Sequence, residues 1–182
     1  MGDSLTIALD AMGGDNAPSI VVKGADMARR RFPDINFLMF GDEQRIAPLI
    51  KRRKRLRAIT DIMHTDDVIS NDTKVSDALR KGKQSSMQLA INAVREGLAA
   101  GVVSAGNTGA LMAMAKLALR TMPGIDRPAI AAIFPTMRGE SVMLDLGANV
   151  ECDAENLIQF ALMGDVFART VLGTVSPSCG LL

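Results

Sequence analysis

Short apolar segments alternate with helix-like segments along almost the whole chain, and this alternation limits the folds open to it. Apolar runs of strand length occur at residues 5–9, 35–40 and 58–63, and a segment with helical periodicity follows each one. Repeated strand and helix segments of this kind are typical of α/β proteins. The same pattern predicts helices over residues 19–31, 43–55, 75–80, 87–99, 110–120 and 153–172. It also predicts strands over residues 129–134 and 141–144, and the beginning of a further strand at residues 177–182.

One junction between a strand and a helix carries most of the functional information. Residues 102–119 read VVSAGNTGALMAMAKLAL, which is an apolar run, then a loop of small polar residues, then a helical pattern. The loop lies where the first N–H groups of the helix have no partner within the helix. N–H groups in this position favour an anion such as phosphate. A plain turn before a packed helix is the alternative that turn chemistry allows.

The loop lacks the common nucleotide-binding signatures. Its two glycines, Gly106 and Gly109, do not form GxGxxG, and no Lys followed by Ser or Thr stands at P-loop spacing. The sequence therefore indicates neither NAD nor ATP, and we predict no cofactor. No spacing typical of metal ligands occurs, so we predict no metal and expect His64, the single histidine, to be structural.

Composition excludes several classes of function. The 182-residue chain is 48% hydrophobic with a formal net charge of +1, which is typical of one globular domain over residues 1–182. Trp and Tyr are absent, and the balanced charge does not favour nucleic acid. The six basic residues in segment 51–57 are interpreted as a solvated helix face, with an anionic-lipid patch as the alternative.

The predicted location follows from the start of the chain and its cysteines. No charged and apolar leader of the signal-peptide type precedes residue 5, and no stretch is apolar enough to predict a membrane-spanning helix. Cys152 and Cys179 are therefore expected to be free thiols of a cytoplasmic protein.

Three polar loops that contain glycine are predicted to share one edge of the sheet. They are residues 10–18, 104–109 and 145–149, and each follows a strand and precedes a helix. Ligands of open α/β sheets bind at the carboxyl ends of the strands. We therefore expect the functional site where these three loops meet.

Several acidic and hydroxyl side chains near these loops have two interpretations. Asp10 and Asp15 are candidates to bind a metal, orient a cation or transfer a proton, or they serve as a turn residue and a helix cap. Asp145 ends an apolar strand, and we expect it to bond loop N–H groups and hold the loop's shape. Residues 80–87 place basic side chains beside Ser85 and Ser86, which predicts either a phosphate clamp or a capped helix end.

Five segments in the same order resemble one known family. They are residues 10–15 with Ala17 and Pro18, residues 85–87, residues 103–110, Arg127 with Pro128, and residues 144–150 with Cys152 and Asp153. With these segments the chain resembles, over residues 4–182, the bacterial phosphate acyltransferases of phospholipid synthesis.

The resemblance implies a reaction, partners and a fold. It implies reversible transfer of a fatty acyl group from acyl-acyl carrier protein to inorganic phosphate, giving acyl phosphate for a membrane glycerol-3-phosphate acyltransferase. It implies a homodimer in the cytoplasm, associated peripherally with the inner face of the membrane. It also implies a three-layer α/β/α sandwich similar to isocitrate and isopropylmalate dehydrogenases and to phosphotransacetylase.

The chemistry of this reaction assigns provisional roles to the loop residues. Phosphate is anionic at neutral pH, so the site needs a cradle for it and donors for the developing oxyanion rather than a Ser–His pair. Asn107, Asn149 and Asp145 are the catalytic candidates, the first two as oxyanion donors, with loop N–H groups as the alternative donors. The phosphate-binding candidates are Asp10, Gly13, Gly14, Asp15, Ser86, Ser104, Gly106, Thr108 and Gly109.

One departure from the family bears on activity. Family chains continue through further strands and loops, so we expect this chain to be the amino-terminal portion of a longer acyltransferase, with a fold incomplete at its carboxyl-terminal end and with impaired turnover. Two other functions stay open. One is a short-chain phosphotransacylase that uses acyl-CoA, and the other is a non-catalytic phosphate-binding module.

Overall fold

A computed structural model describes residues 5–137, 139–149 and 151–182. Val150, the last residue of the 144–150 segment, lies outside the described residues. The chain divides into two compact units, Met1–Arg120 and Thr121–Leu182.

The first unit is built on a parallel four-stranded sheet. Its strands are β1 (Leu5–Asp10), β2 (Ile35–Gly41), β3 (Thr60–His64) and β4 (Gly101–Val103). They lie in the order β3-β2-β1-β4. Asp10 pairs with Phe40 and Leu9 pairs with Val103, so the loops after β1 and β4 leave the sheet side by side.

Helices cover both faces of this sheet. They are α1 (Ser19–Arg31), α2 (Glu43–Lys51), α3 (Lys54–Arg57), α4 (Val75–Lys81), α5 (Ser86–Arg95) and α6 (Thr108–Leu119). Leu9, Phe37 and Met39 pack against α1, α2 and α3. Ala8 and Phe40, which alternate with them along the strands, pack against α5. This arrangement confirms the predicted α/β class.

Two predicted helices end earlier than their sequence pattern suggests. The predicted helix 43–55 is broken between α2 and α3, where a continuous helix would place like charges four residues apart, as at Lys51 and Arg55. The predicted helix 87–99 ends at Arg95, because Gly97 adopts φ +74° and ends it as a left-handed residue.

The second unit is an antiparallel hairpin and a long helix. Strand β5 (Ala132–Thr136) pairs with β6 (Gly139–Met143), and α7 spans Ala154–Val171. Asp153 and Asn156 form a capping box at the start of α7. The strands predicted at 129–134 and 141–144 are present with shifted bounds, and they form a separate two-stranded sheet. The strand predicted at 177–182 is wrong, since these residues are irregular.

No helix in the described part of the chain combines the length and the apolar character that crossing a membrane requires.

Candidate functional site

A buried carboxylate lies at the carboxyl end of β1. Asp10 is 2% exposed, and its side chain is on the face of β1 that α5 covers. Its Oδ1 accepts hydrogen bonds from the Ser86 hydroxyl at 2.6 Å and from the Met12 N–H at 3.3 Å. Its Oδ2 accepts one from the Ser104 hydroxyl at 2.6 Å. Asp10 therefore joins the ends of β1 and β4 to the start of α5.

Glycines let the loops after β1 and β4 approach each other closely. A Cβ on Gly13 would lie 2.5 Å from Asp10 Oδ2 and 2.7 Å from Ser104 Oγ. A Cβ on Gly106 would lie 3.3 Å from the Gly13 Cα. Gly14 has φ +95°, a left-handed conformation that disfavours other residues. These positions have no room for side chains, so the two loops form one packed edge.

The start of α6 presents hydrogen-bond donors at this edge. Asn107 caps the helix, since its Oδ1 accepts the Ala110 N–H at 2.9 Å. Thr108 and Gly109 form the exposed first turn, where backbone N–H groups have no partner within the helix. The Thr108 hydroxyl has no hydrogen-bond partner among the described residues. The helix dipole adds positive potential here, so this turn suits an anion.

A polar loop that the sequence analysis did not single out braces the start of α6. The Asn107 Nδ2 group donates to the carbonyls of Asn71 and Thr73, each at 2.9 Å. The Asn71 Nδ2 group in turn donates to Asp15 Oδ1 at 2.8 Å. Residues 70–73 thus connect the β1 loop to α6. Only the polar composition of these residues signalled a turn, and nothing in it indicated these long-range partners.

The hydroxyl groups at this edge differ in whether their hydrogen is already donated within the protein. Ser86 and Ser104 give their hydroxyl hydrogens to Asp10, and Ser104 Oγ also accepts the Gly106 N–H at 3.1 Å. Each hydroxyl has a single hydrogen. The two serines therefore hold Asp10 and the loops in place, while Thr108 retains a donor for a ligand.

Residues 80–87 follow the capping interpretation. Ser85 caps α5 by accepting the Gln88 N–H at 3.2 Å, and it is buried. Arg80 forms an ion pair with Asp77 at 2.7 Å. Helix capping thus accounts for Ser85, and the Arg80 charge is already paired within α4.

His64 connects β3 to the start of α2. Its Nδ1 accepts the Glu43 N–H at 3.2 Å, and its Nε2 lies 3.6 Å from Asp66 Oδ1. Asp42, His64 and Asp66 are close enough to share a metal ion. However, a neutral ring that accepts at Nδ1 carries its proton on Nε2, and Asp42 already caps α2. These bonds fit the structural role expected for His64.

The second unit contains its own carboxylate-centred loop. Asp145 accepts the N–H groups of Ile130 and Asn149, each at 2.7 Å, which confirms the expected bonding to loop N–H groups. The Asn149 Nδ2 group donates to the Pro128 carbonyl and to Asp145, each at 3.1 Å. Burial alone raises the pKa of the Asp145 carboxyl, but these donors outweigh it and hold that pKa below its usual range.

Two cavities of the first unit lie beside this edge rather than on it. One of about 600 Å³ lies between α5 and the strands β2 and β3, and Leu38, Met63 and Leu89 line it. The other, of about 560 Å³, lies between residues 67–74 and α4. Neither is lined by Asp10 or Thr108, so neither of these two cavities contains the candidate anion site.

The structure brings together most of the predicted site residues. Hydrogen bonds or close packing connect Asp10, Gly13, Gly14, Asp15, Ser86, Ser104, Gly106 and Asn107, and Thr108 and Gly109 follow directly. Asp145 and Asn149 belong to the second unit, and their meeting with these residues stays a prediction.

The fold of the chain is similar to that of a solved enzyme structure. The chain superposes on a phosphotransacetylase from Streptococcus pyogenes with a TM-score of 0.63, covering 89% of this chain and 53% of that one. The two sequences are 20% identical, so the likeness concerns the fold. The chain has a phosphotransacetylase-like α/β fold.

Comparison of sequences identifies the family. Residues 5–182 match the model of the fatty acid synthesis protein family, and the chain belongs to that family. It is 63% identical over 182 residues to a phosphate acyltransferase of Rhodospirillum centenum and 62% identical to one of Rhodospirillum rubrum. These alignments cover 100% of this chain and 51% and 52% of the relatives. The resemblance predicted from the sequence is confirmed, and the chain spans about half the length of these relatives.

Proposed function

We propose that the chain provides the phosphate site of an acyltransferase that moves a fatty acyl group from acyl-acyl carrier protein to inorganic phosphate. The observation that carries this function is the exposed first turn of α6, whose free donors stand beside the packed loops around Asp10. Membership of the family, and the name phosphate acyltransferase given to relatives, support the reaction class.

The reaction needs little acid–base chemistry from the protein. An oxygen of hydrogen phosphate attacks the thioester carbonyl carbon, and the carbonyl oxygen becomes an oxyanion. Collapse of this tetrahedral species forms the acyl–phosphate bond and breaks the bond to sulfur. The proton released by hydrogen phosphate protonates the departing thiolate. Catalysis then depends on holding phosphate in position and stabilising the oxyanion.

The free and used donors divide the phosphate-site residues into two groups. Thr108 and Gly109 bind phosphate directly, through the hydroxyl and the backbone N–H groups. The other residues position them through the contacts described above. These positioning residues are Asp10, Gly13, Gly14, Asp15, Ser86, Ser104 and Gly106.

The three catalytic candidates receive positioning roles in this proposal. Both side-chain N–H groups of Asn107 already donate to carbonyls of residues 70–73. Those of Asn149 donate to Pro128 and Asp145. Because these amides are used, we assign oxyanion stabilisation to loop N–H groups that they hold in place, with Asp145 fixing the shape of the loop around Asn149.

Several finer properties accompany the proposed reaction. We propose the three-layer fold of isocitrate and isopropylmalate dehydrogenases for the complete sheet, assembly as a homodimer, and delivery of acyl phosphate to a membrane glycerol-3-phosphate acyltransferase. We place the protein in the cytoplasm, peripherally at the inner face of the membrane. Because the relatives are about twice as long, we propose that this chain alone turns over slowly or not at all.

Trapping of acyl phosphate tests the function. Each protein is incubated with palmitoyl-acyl carrier protein and phosphate, and hydroxylamine converts any acyl phosphate that forms to a hydroxamate. The two proteins are this chain and the same chain extended by the carboxyl-terminal half of the Rhodospirillum centenum relative. We expect product from the extended chain. Thr108→Val should raise its KM for phosphate about tenfold through loss of one hydrogen bond to a charged group. The matched control Thr170→Val, at an exposed position of α7, should leave that KM unchanged.

Other results assign other functions. A preference for acetyl-CoA or butyryl-CoA as donor contradicts the carrier-protein reaction and indicates a short-chain phosphotransacylase. Stabilisation by phosphate without product from either chain indicates a binding module.

A further inference from the structure

One face of the parallel sheet is left partly open beside its edge strand. The other face is closed, since Phe37 and Met39 of β2 pack against α1, α2 and α3. On the open face α5 packs beside Phe40 of β2, but Met63 of the edge strand β3 is 48% exposed. The cavity of about 600 Å³ lies here, between α5 and these two strands. We define the β2–β3 face by the large apolar side chains that line this side of the cavity, which are Leu38, Phe40, Met63, Leu89 and Leu98.

A sheet of this kind needs a cover on both faces. Each of its strands pairs with parallel neighbours, and parallel sheets occur almost only with helices packed on both sides. Leu38 is half-buried, and Leu98, like Met63, is largely exposed. Docking of another element would remove these apolar side chains from water, which is the main driving force of association. The β2–β3 face therefore has the properties of a docking surface.

The length of the relatives points to the occupant of this surface. The alignments cover the whole of this chain but only 51% and 52% of the two Rhodospirillum phosphate acyltransferases. The relatives therefore contain about as many residues again, and none of these belongs to the structure. Docking within one polypeptide has the advantage of a high effective concentration over docking of a separate molecule.

We propose that an amphipathic helix from the half of the protein that this chain lacks docks on the β2–β3 face. The cavity follows β2 from Asn36 to Phe40, a length of about 13 Å. A helix rises about 1.5 Å per residue, so about nine residues span this length. Burial of one apolar side against the sheet gives this helix the 3.6-residue periodicity of an amphipathic helix.

Two charged side chains at the rim of the cavity specify the margins of this helix. Arg57 and Asp61 line the cavity and are exposed. Neither forms an ion pair with another described residue. The docked helix therefore carries an acidic side chain opposite Arg57 and a basic one opposite Asp61, which fixes its orientation on the sheet.

Docking here brings the other half of the protein to the edge that holds the candidate site. Phe40 and Asp10 are partners in adjacent strands, so their backbones lie about 4.8 Å apart. A helix that ends beside Phe40 is therefore one strand away from the carboxylate that holds Ser86 and Ser104. Residues outside this chain can complete the site from there, which agrees with the low turnover proposed for the chain alone.

Cysteine labelling tests the docking surface. Cys152 and Cys179, both exposed, are first replaced by serine. Met63→Cys is then introduced into this chain and into the chain extended by the carboxyl-terminal half of the Rhodospirillum centenum relative. The rate at which iodoacetamide labels position 63 is measured by peptide mass spectrometry. We expect the extension to slow this labelling about tenfold or more, because the docked helix must open before the thiol reacts.

Met27→Cys in the same background is the matched control. Met27 is 67% exposed on α1, and α1 packs against the other face of the sheet. The extension should therefore change its labelling rate less than about twofold. These measurements use neither phosphate nor carrier protein, so their result is independent of the acyl transfer.

Three results would overturn the proposal. One is an equal labelling rate at position 63 with and without the extension. Another is slow labelling that becomes fast on dilution of either chain, because a second copy then covers the face. The third is slow labelling only after sodium palmitate is added, which would indicate a site for an acyl chain instead.

A charged substitution at the same position gives a second readout. Met63→Glu should lower the urea midpoint of the extended chain and change that of the 182-residue chain little, because the carboxylate is buried only where the helix docks. Met27→Glu should change both midpoints little. An equal effect of Met63→Glu on the two chains overturns the docking.

Discussion

Substitution of Gly13 by alanine tests the packed edge on which the proposed site depends. An added Cβ would lie 2.5 Å from Asp10 Oδ2, 2.7 Å from Ser104 Oγ and 2.9 Å from Gly106 N. None of these atoms is the end of a flexible chain, because Asp10 is buried and bonded and Gly106 N belongs to the backbone. The two loops must therefore move apart.

The expected cost of Gly13→Ala combines two effects. Forcing a methyl group into packed atoms costs about 1–3 kcal/mol, and a weakened hydrogen bond to the Asp10 carboxylate adds about 1 kcal/mol. We expect the free energy of unfolding to fall by about 3 kcal/mol. Gly13 does not have positive φ, so this loss comes from contact rather than from backbone strain.

Gly24→Ala provides the matched control. Gly24 lies inside α1, and nothing lies within 4 Å of the Cβ that alanine would add. The same change of residue should therefore raise the free energy of unfolding by about 0.5–1 kcal/mol. Urea unfolding is followed by far-ultraviolet circular dichroism, because the chain has no Trp or Tyr for fluorescence. A Gly13→Ala protein within about 0.5 kcal/mol of wild type would refute the close packing of the two loops.

Three further predictions concern the polar side chains. Asp10→Asn leaves one acceptor oxygen for two serine hydroxyls, so urea unfolding should show a loss of about 1.5–3 kcal/mol, and an unchanged midpoint would contradict the bonding. Asn107→Ala removes the α6 cap and the bonds to residues 70–73, so limited proteolysis should cut that loop faster and stability should fall by about 1–2 kcal/mol. The lowered pKa of Asp145 contributes stability that is complete above the unfolded value of about 3.9 and is lost as pH falls through the folded value. Wild-type and Asp145→Asn proteins should therefore differ near neutral pH and converge in acid titrations, and a constant difference would contradict this linkage.

Local sequence patterns predicted the first unit well. Helix α1 occupies the predicted residues 19–31, and β1 differs from its prediction by one residue. Apolar periodicity specifies such elements because each one buries a single face or strip. The sequence pattern indicated β5 and β6 but not their antiparallel pairing, since a short apolar run has the same appearance in a parallel and in an antiparallel sheet.

The composition of the candidate site was predictable, but its internal bonding was not. Glycines and hydroxyls after β1 and β4 indicated an anion site from residue type alone. The pairing of Asp10 with Ser86 and Ser104 joins positions 76 and 94 residues apart, and no local pattern specifies such partners. For the same reason, the bonds from Asn107 to residues 70–73 appeared only in the fold.

Titration of the chain with inorganic phosphate, followed residue by residue through backbone amide chemical shifts, tests the central claim most directly. Saturable shifts at the amides of Thr108 and Gly109, reduced in Thr108→Val, are the predicted result. Chemical shifts of the Thr108 and Gly109 amides that stay unchanged at high phosphate concentration would contradict a phosphate site at the start of α6. Shifts that change only in residues 51–57 would contradict it as well.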